Sequence, residues 1–443
     1  MWIFGISESI FSDPLFAGRL VSVFAGFLSL IGIYKIAQYI FTQKVAILSA
    51  LLYAIVPLFS FYDRQALMES SVALIGIWSC FFILKSIKEK SLKYPIFIGF
   101  ILGIGFFIKS SSLVFLISYA FFVLLYSFYL KTIKLISNFS ISLIIFLATI
   151  SLLLINPQFW DTFSSNSRYT LTINELLKFP LGTWLHSLLA NLQIGFYSLT
   201  PLLFITSLIG IVVILKKKNL LKNSFLFFFL SAFLIITLIV RAPTDRYLIS
   251  FLSFLLIPAA YLVSLIFKKN KYFGILIILI IFIIPFCLTI FQIVNPAGYL
   301  LTTEKTSYFG SSEYLHDFTS GYGVDDTVNY FKNLSSKAEI IITIAENTGN
   351  PESAIIDYFN RSKNVQVVYM DAKIFGTILD GYNCLSSNKP LYFVARDDQL
   401  AGLNKYLERL KVIKNPYGPN TIGIYILKKN CKGKTFELRP VST

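Results

Sequence analysis

The chain has 443 residues, 56% of them hydrophobic and only 14% charged, with a mean hydropathy of +0.70. Soluble globular chains carry about a quarter charged residues, so the composition excludes that class and indicates a polytopic membrane protein. The net charge is +16, but the lysines come in small clusters between apolar runs. No long basic tract suits a nucleic acid, and no such partner is expected.

Met1 opens on WIFGISESIFSDPLFAGRL, an interfacial-looking stretch leading into the first apolar run. Runs long enough to approach or span a bilayer follow at 17–41, 45–62, 66–85, 95–109, 112–130, 135–156, 197–215, 224–240, 247–267 and 272–294. A span needs roughly 20 residues, so 45–62 and 95–109 borrow flanking residues, and about ten spans are expected. Alternate junctions hold Lys44, then the cluster from Lys85 to Lys93, then Lys131 and Lys134, then Lys216 to Lys222, then Lys268 to Lys271. The positive-inside rule makes that side cytoplasmic and places FYDRQ, IKSSS and RAPTDRY at the outer face. The outer loop 157–196 is too long for a turn. Its part NELLKFPLGTWLHSLLANLQIGFYS, interrupted by Pro180 and Gly182, predicts a helix that lies in the interface or re-enters it, in position to cover a substrate cavity.

Beyond residue 296 the pattern changes. AEIIITIA, VQVVYM, KPLYFVA and TIGIYILKK read as short strands, and VDDTVNYFKNLS, PESAIIDYFNR and QLAGLNKYLERLK as amphipathic helices. The division expected is a membrane domain over 1–296 and a small extracytoplasmic α/β domain over 297–443. Asn333-Leu334-Ser335 matches a glycosylation sequon, a pattern common by chance. Cys384 and Cys431 are open to pairing in that domain, whereas Cys80 and Cys287 lie in apolar runs as small hydrophobes. Two histidines, His186 and His316, are too few for a histidine-based metal site.

Ionisable groups at membrane depth are functional candidates by default. In FYDRQALMESS, Asp63 suits either an N-cap for a helix beginning near Gln65 or a catalytic acid. Arg64 suits either snorkelling or a substrate phosphate. Glu69, on a helix begun at Gln65, lies roughly 9 Å deeper than Asp63, where a carboxylate needs a partner. Lys109 follows a span whose glycines Gly99, Gly103 and Gly105 permit close helix approach. It either snorkels or joins the Ser110–Ser112 hydroxyls around a phosphate. Arg241 and Arg246 flank APTD ahead of Tyr247, fitting either an interfacial belt or the grip of a lipid phosphate. One acid and several cations at an outer-face cavity suit chemistry on an anionic lipid. No Walker or GxGxxG motif competes with that reading.

The order AGRLVSVFAGFLSLIGIYKIAQYIF, SALLYAIVPLFSFYDRQALMESSVAL, GFILGIGFFIKSSSLVFL and TDRYLISFLSFLLIP resembles the polyprenyl-phosphate-sugar-dependent glycosyltransferases of the GT-C superfamily. The nearest branch is the bacterial members related to protein O-mannosyltransferases and to aminoarabinose transferases of lipid A. The likeness covers residues 1–300, and GYLLTTEKTSYFGSSEYLHDFTSGYGVDDTVNYFKN resembles the segment that follows in many of them. It implies a GT-C membrane fold and inverting transfer of a sugar from a polyprenyl-phosphate donor to a hydroxyl or amine of a lipid, glycan or protein acceptor. It also implies a carboxylate that deprotonates the acceptor and cations that stabilise the departing phosphate. On this resemblance Glu69 matches the second acid, Arg64 the arginine before it, Lys109 the lysine after the glycine-rich span, and Arg246-Tyr247 the later Arg-Tyr pair. Glu69 and Asp63 are the catalytic candidates; Arg64, Lys109, Arg241, Arg246 and Tyr247 are the phosphate-binding candidates. Some members use a divalent metal, and no metal-spacing motif is visible, so a metal stays open. The principal acidic pair of the family, in a first external loop, has no counterpart here: Glu8 and Asp13 lack its context. The expectation is therefore that a first helix and its loop precede Met1. The competing classes are a polyprenyl-lipid or solute transporter, which would show two related halves, and a non-catalytic cell-envelope scaffold.

Overall fold

A computed structural model describes residues 2–89, 91–131, 133–155, 159, 169–304, 311–317, 319–345, 349–370, 384–385, 389–396, 399, 403–419, 421–428 and 435–436. The chain divides into two compact units, Met1–Phe309 and Gly310–Thr443.

The first unit is helical. Helix α1 (Trp2–Ile10) leads to α2 (Pro14–Ile40), which Asp13 caps by accepting from the Phe16 amide at 2.8 Å. Then come α3 (Gln43–Ile55), α4 (Pro57–Tyr62), α5 (Glu69–Lys88), α6 (Lys93–Ile108), α7 (Leu113–Leu130) and α8 (Lys134–Leu154). The long loop that follows carries α9 (Ile173–Leu177) and α10 (Leu181–Ser198). The unit closes with α11 (Pro201–Leu215), α12 (Leu220–Ile239), α13 (Asp245–Lys269), α14 (Lys271–Val294) and α15 (Pro296–Glu304).

Among the described residues seven helices are long and apolar enough to cross a membrane, and the α10–α11 pair, bent by 117°, makes an eighth if taken as one span. The protein is therefore a multi-pass membrane protein, with fewer full-length spans than the expected ten. The apolar run 45–62 is divided because Pro57 has no amide to continue α3, and α6 is only 16 residues long. The helix expected in the outer loop is present as α10. Residues 156–158 and 160–168 of that region lie outside the described residues.

Asp63 is not an N-cap. It ends α4, and the chain then passes through turns in which the Arg64 amide donates to Phe61 O and the Gln65 amide to Tyr62 O. The next helix starts only at Glu69, so Glu69 stands in a first turn and not four residues into a helix begun at Gln65. The expected depth difference of that helix therefore does not apply.

Packing places α13 at the centre, with 78% of its apolar window buried, and α14 at the periphery with 22%. The glycines of α6 act as expected. A Cβ on Gly99 would lie 2.3 Å from the Ser142 carbonyl oxygen, and one on Gly103 2.6 Å from the Thr149 side chain, so α6 meets the α8 backbone at Gly99 and an α8 side chain at Gly103.

The second unit has a five-stranded sheet in the order β2-β1-β4-β6-β5. Strands β1 (Ile340–Ala345), β2 (Val365–Met370) and β4 (Leu391–Arg396) are parallel, with Ile342 opposite both Val367 and Tyr392. Strands β5 (Leu407–Lys414) and β6 (Thr421–Leu427) add antiparallel. Strand β1 is buried along its whole length, which explains its unbroken apolar sequence. Its helices are α16 (Ser311–Leu315), α17 (Val324–Ser335) and α18 (Glu352–Phe359), and Phe331 and Phe359 join the core of Ile342 and Val394. A separate two-stranded pair joins β3 (Cys384–Leu385) to β7 (Thr435–Phe436). All four expected strands are present, but LERLK is not helical. After a short turn at Leu403–Lys405 it forms β5, because pairing along β6 outweighs its helix propensity. Cys431 lies outside the described residues, and so does the question of its pairing with Cys384.

Candidate active site

Three helix ends converge at one end of the bundle: the start of α5, the end of α6 and the start of α13. Glu69 opens α5, where the positive end of the helix favours a carboxylate. Lys109 ends α6 in extended conformation and leads into the Ser110–Ser112 turn. Arg246 and Tyr247 lie in the first turn of α13.

Glu69 Oε1 accepts from Lys109 Nζ at 2.8 Å and from Arg246 Nε at 3.1 Å. Glu69 is 4% exposed, whereas the side chains of Lys109 and Arg246 are 28% and 29% exposed. The acid is thus the buried keystone, and the cations reach from it toward solvent. The Lys109 ammonium also lies 5.3 Å from the Tyr247 ring centroid. A cavity with about 350 Å³ of empty space, counting its mouth, is lined by Glu69, Lys109, Ser111, Arg246 and Tyr247 on its polar side, with Phe115 and Phe251 on its apolar side. The bundle therefore brings together Glu69, Lys109, Arg246 and Tyr247, candidates more than 170 residues apart in the chain.

The other candidates stand elsewhere. Arg64 donates from Nε to Ser60 O at 2.7 Å and from Nη2 to Gln292 Oε1 at 3.2 Å, toward α14. Arg241 donates to Thr170 O at 3.0 Å and pairs with Glu175 at 2.7 Å, and so ties the loop before α9 to the end of α12. A second cavity of about 610 Å³ lies there, between Glu175, Lys178 and Arg241. The Thr172 amide and hydroxyl, followed by Arg241, hold the Glu175 carboxyl below its ordinary range.

Asp63 packs on α2 where a Cβ on Gly26 would lie 2.2 Å from its carboxyl, so only glycine admits it. Its carboxyl is buried together with the neighbouring Tyr53 and Ser70 hydroxyls. Burial pushes the Asp63 carboxyl from 3.8 up to about 7, with the neighbouring Ser70 and Tyr53 hydroxyls pulling the other way.

Two contributors escaped the sequence reading. The Tyr62 hydroxyl donates to Asp245 Oδ2 at 2.9 Å, buried, and locks α4 to α13 beside the site. No local signal marks that pair. Glu175, by contrast, was marked by the spacing of Thr172 and Glu175, a capping box that the structure contains. Among the described residues no group of three or more His, Cys, Asp or Glu side chains gathers to hold a metal ion. Two cations on one oxygen of Glu69 also repel a dication there.

In the comparisons, residues 1–156 match the model of the dolichyl-phosphate-mannose-protein mannosyltransferase family. No curated protein matches the chain by sequence. ArnT of Cupriavidus metallidurans, solved bound to undecaprenyl phosphate, superposes with a TM-score of 0.61 over 98% of this chain and 88% of that one, at 11% identity. Its apo state gives 0.58 over 96% and 86%, at 12% identity. The chain has a GT-C fold. The GT-C likeness runs through both units, whereas the family model takes in Glu69 and Lys109 and ends before Arg246.

Proposed function

We propose that the chain is a membrane glycosyltransferase that moves a sugar from a polyprenyl-phosphate donor to an acceptor hydroxyl or amine, with inversion, at the outer face. The observation that carries the reading is the buried Glu69 carboxylate holding Lys109 and Arg246 at the rim of one cavity. The mannosyltransferase family match and the undecaprenyl phosphate held by ArnT, a protein of the same fold, supply the substrate class. In this orientation the lysine-rich junctions face the cytoplasm and Gly310–Thr443 is extracytoplasmic.

The acceptor oxygen or nitrogen attacks the anomeric carbon, the bond from that carbon to the phosphate oxygen breaks, and the lipid phosphate leaves with the electron pair. Lys109 and Arg246 bind that phosphate with charge-assisted hydrogen bonds that strengthen as its charge grows. Glu69, whose Oε1 is committed to both cations, is a weak base and acts as a positioning residue. Asp63, the other carboxyl of this segment, is assigned the acceptor proton; it lies beside Ser70, the neighbour of Glu69, and outside the residues that line the cavity. The acceptor is a lipid, glycan or protein.

The test is transfer from a synthetic polyprenyl-phosphate sugar by the purified full chain. Lys109→Met and Arg246→Met are expected to raise the donor KM and lower kcat. Asp63→Asn is expected to lower kcat with donor KM nearly unchanged. Normal transfer by Lys109→Met/Arg246→Met, with the fold intact, overturns the phosphate assignment.

A further inference from the structure

The opposite end of the bundle carries a charged surface that sugar transfer does not use. Lys216, Lys217 and Lys218 follow one another in the turn after α11, Lys222 lies in the first turn of α12, and Lys268 and Lys269 end α13. All but Lys222 are exposed. Two rings gather these elements. Phe41, at the end of α2, and Tyr261, on α13, have centroids 4.4 Å apart. The Lys222 ammonium lies 4.9 Å from the first ring and 5.2 Å from the second, and that of Lys217 lies 5.8 Å from Tyr261.

The elements that build this surface carry no acid beyond Asp245, at the other end of α13. Residues 14–62, 176–244 and 246–303, which supply α2, the turn, α12 and α13 beyond Asp245, contain neither Asp nor Glu. Among the described residues none of these six lysines forms an ion pair. At the neighbouring junction, Lys85 pairs with Glu89 at 2.7 Å, so the fold does admit an acid at this level. Two further features run against local preference. Lys222 stands in the first turn of a helix, where the helix dipole disfavours a cation. Lys218 holds a left-handed backbone at φ 43°, uncommon outside glycine. Clustered ammoniums raise the local potential, and an anion seated among them relieves it. At the end of a membrane bundle, the anion at hand is a phospholipid headgroup.

We propose that Lys216, Lys217, Lys218 and Lys222, backed by Phe41 and Tyr261, form a docking site for the phosphate of an anionic phospholipid. The lysines bind the phosphate as mobile point charges, and the rings take the interfacial part of the lipid. The site stands apart from the Glu69 cavity: Arg246 and Lys269 are separated by about 35 Å along α13.

The test is native mass spectrometry of the detergent-solubilised full chain with added phosphatidylglycerol or phosphatidylcholine. Wild type is expected to retain phosphatidylglycerol at least about ten-fold more strongly, and each lysine replaced by glutamine is expected to cost roughly five-fold in that affinity. Lys217→Arg/Lys222→Arg, which keeps the charge, is expected to keep the preference even if the glutamine variants prove unstable. Equal retention of the two lipids by wild type overturns the proposal. So does an unchanged preference when all four lysines are glutamine. Thermal stabilisation by inorganic phosphate equal to that by phosphatidylglycerol also overturns it, since the site would then take a free anion.

Discussion

The two ends of the helical unit handle positive charge in opposite ways. Where α5, α6 and α13 meet, one buried carboxylate holds two cations in fixed geometry. Where α2, α12 and α13 meet, a group of lysines shares two aromatic rings and no carboxylate. An internal counter-ion aims cations at one point, as a reaction requires. Cations without one are loosely placed and suited to whatever anion the bilayer presents. The same residue type thus serves geometry at one end and potential at the other.

The sharpest way to break this contrast is to unpair Glu69. Removing one partner of a buried ion pair costs about 3–5 kcal/mol. Lys109→Met leaves Glu69 paired with Arg246, and the cations are partly exposed, so its cost is expected to fall below that range. Glu69→Gln/Lys109→Met is expected to regain part of the loss, because the buried carboxylate that has lost one of its two cations is gone. Thermal unfolding of the two single variants and the double gives the coupling energy, and strict additivity would show that the pair is not a unit. Glu69→Gln alone is expected to lower transfer by about 100-fold or more through misplaced cations, with unchanged transfer removing Glu69 from the mechanism.

A second, smaller effect concerns Asp63. Its folded carboxyl titrates near 7, above the ordinary 3.8. The folded state therefore binds a proton that the unfolded state releases, and the stability contributed is complete below about pH 4. It falls as pH rises toward 7 and is lost above it. Unfolding measured from pH 5 to 8 is expected to show this decline in wild type, and Asp63→Asn is expected to flatten it. If Asp63 receives the acceptor proton, the rate of transfer rises over the same interval, the opposite trend to stability.

Much of this was legible in the sequence, and the failures have physical causes. Glu69, Lys109 and Arg246 were recoverable because a charge at the end of an apolar run is costly unless it has a partner or a task. Helix alternation then put all three on one side. The N-cap alternative for Asp63 failed because the turn residues after it separate it from the helix that it was expected to cap. LERLK was misread as helix because only its neighbour β6 makes it a strand. Arg241 was grouped with Arg246 on nearness in sequence, but the loop contact at Thr170 turns it toward Glu175. Pairing between distant segments, as for Tyr62 and Asp245, leaves no trace in either segment.

The Arg241–Glu175 pair gives a third, weaker test. Both side chains are 37% exposed, and solvent-exposed pairs contribute little to stability. Arg241→Ala is expected to leave the unfolding temperature nearly unchanged and donor KM unaltered, unlike Arg246→Met. A large loss of donor affinity would return Arg241 to the phosphate site.

The smallest expected effect is also the one that tests the contrast most directly, by placing an acid among the lysines. Asn219 caps α12, its side chain accepting from the Lys222 amide at 3.2 Å. Asp is as good a cap as Asn, so Asn219→Asp keeps the hydrogen bond while adding a negative charge beside Lys218 and Lys222. Stability is expected to rise by about 0.3–1 kcal/mol, since a carboxylate also suits a helix start. The preference for phosphatidylglycerol is expected to fall at the same time, because the new charge competes with the lipid phosphate. A gain in stability with an undiminished lipid preference would mean that the lysines answer to each other and to solvent, and not to a headgroup.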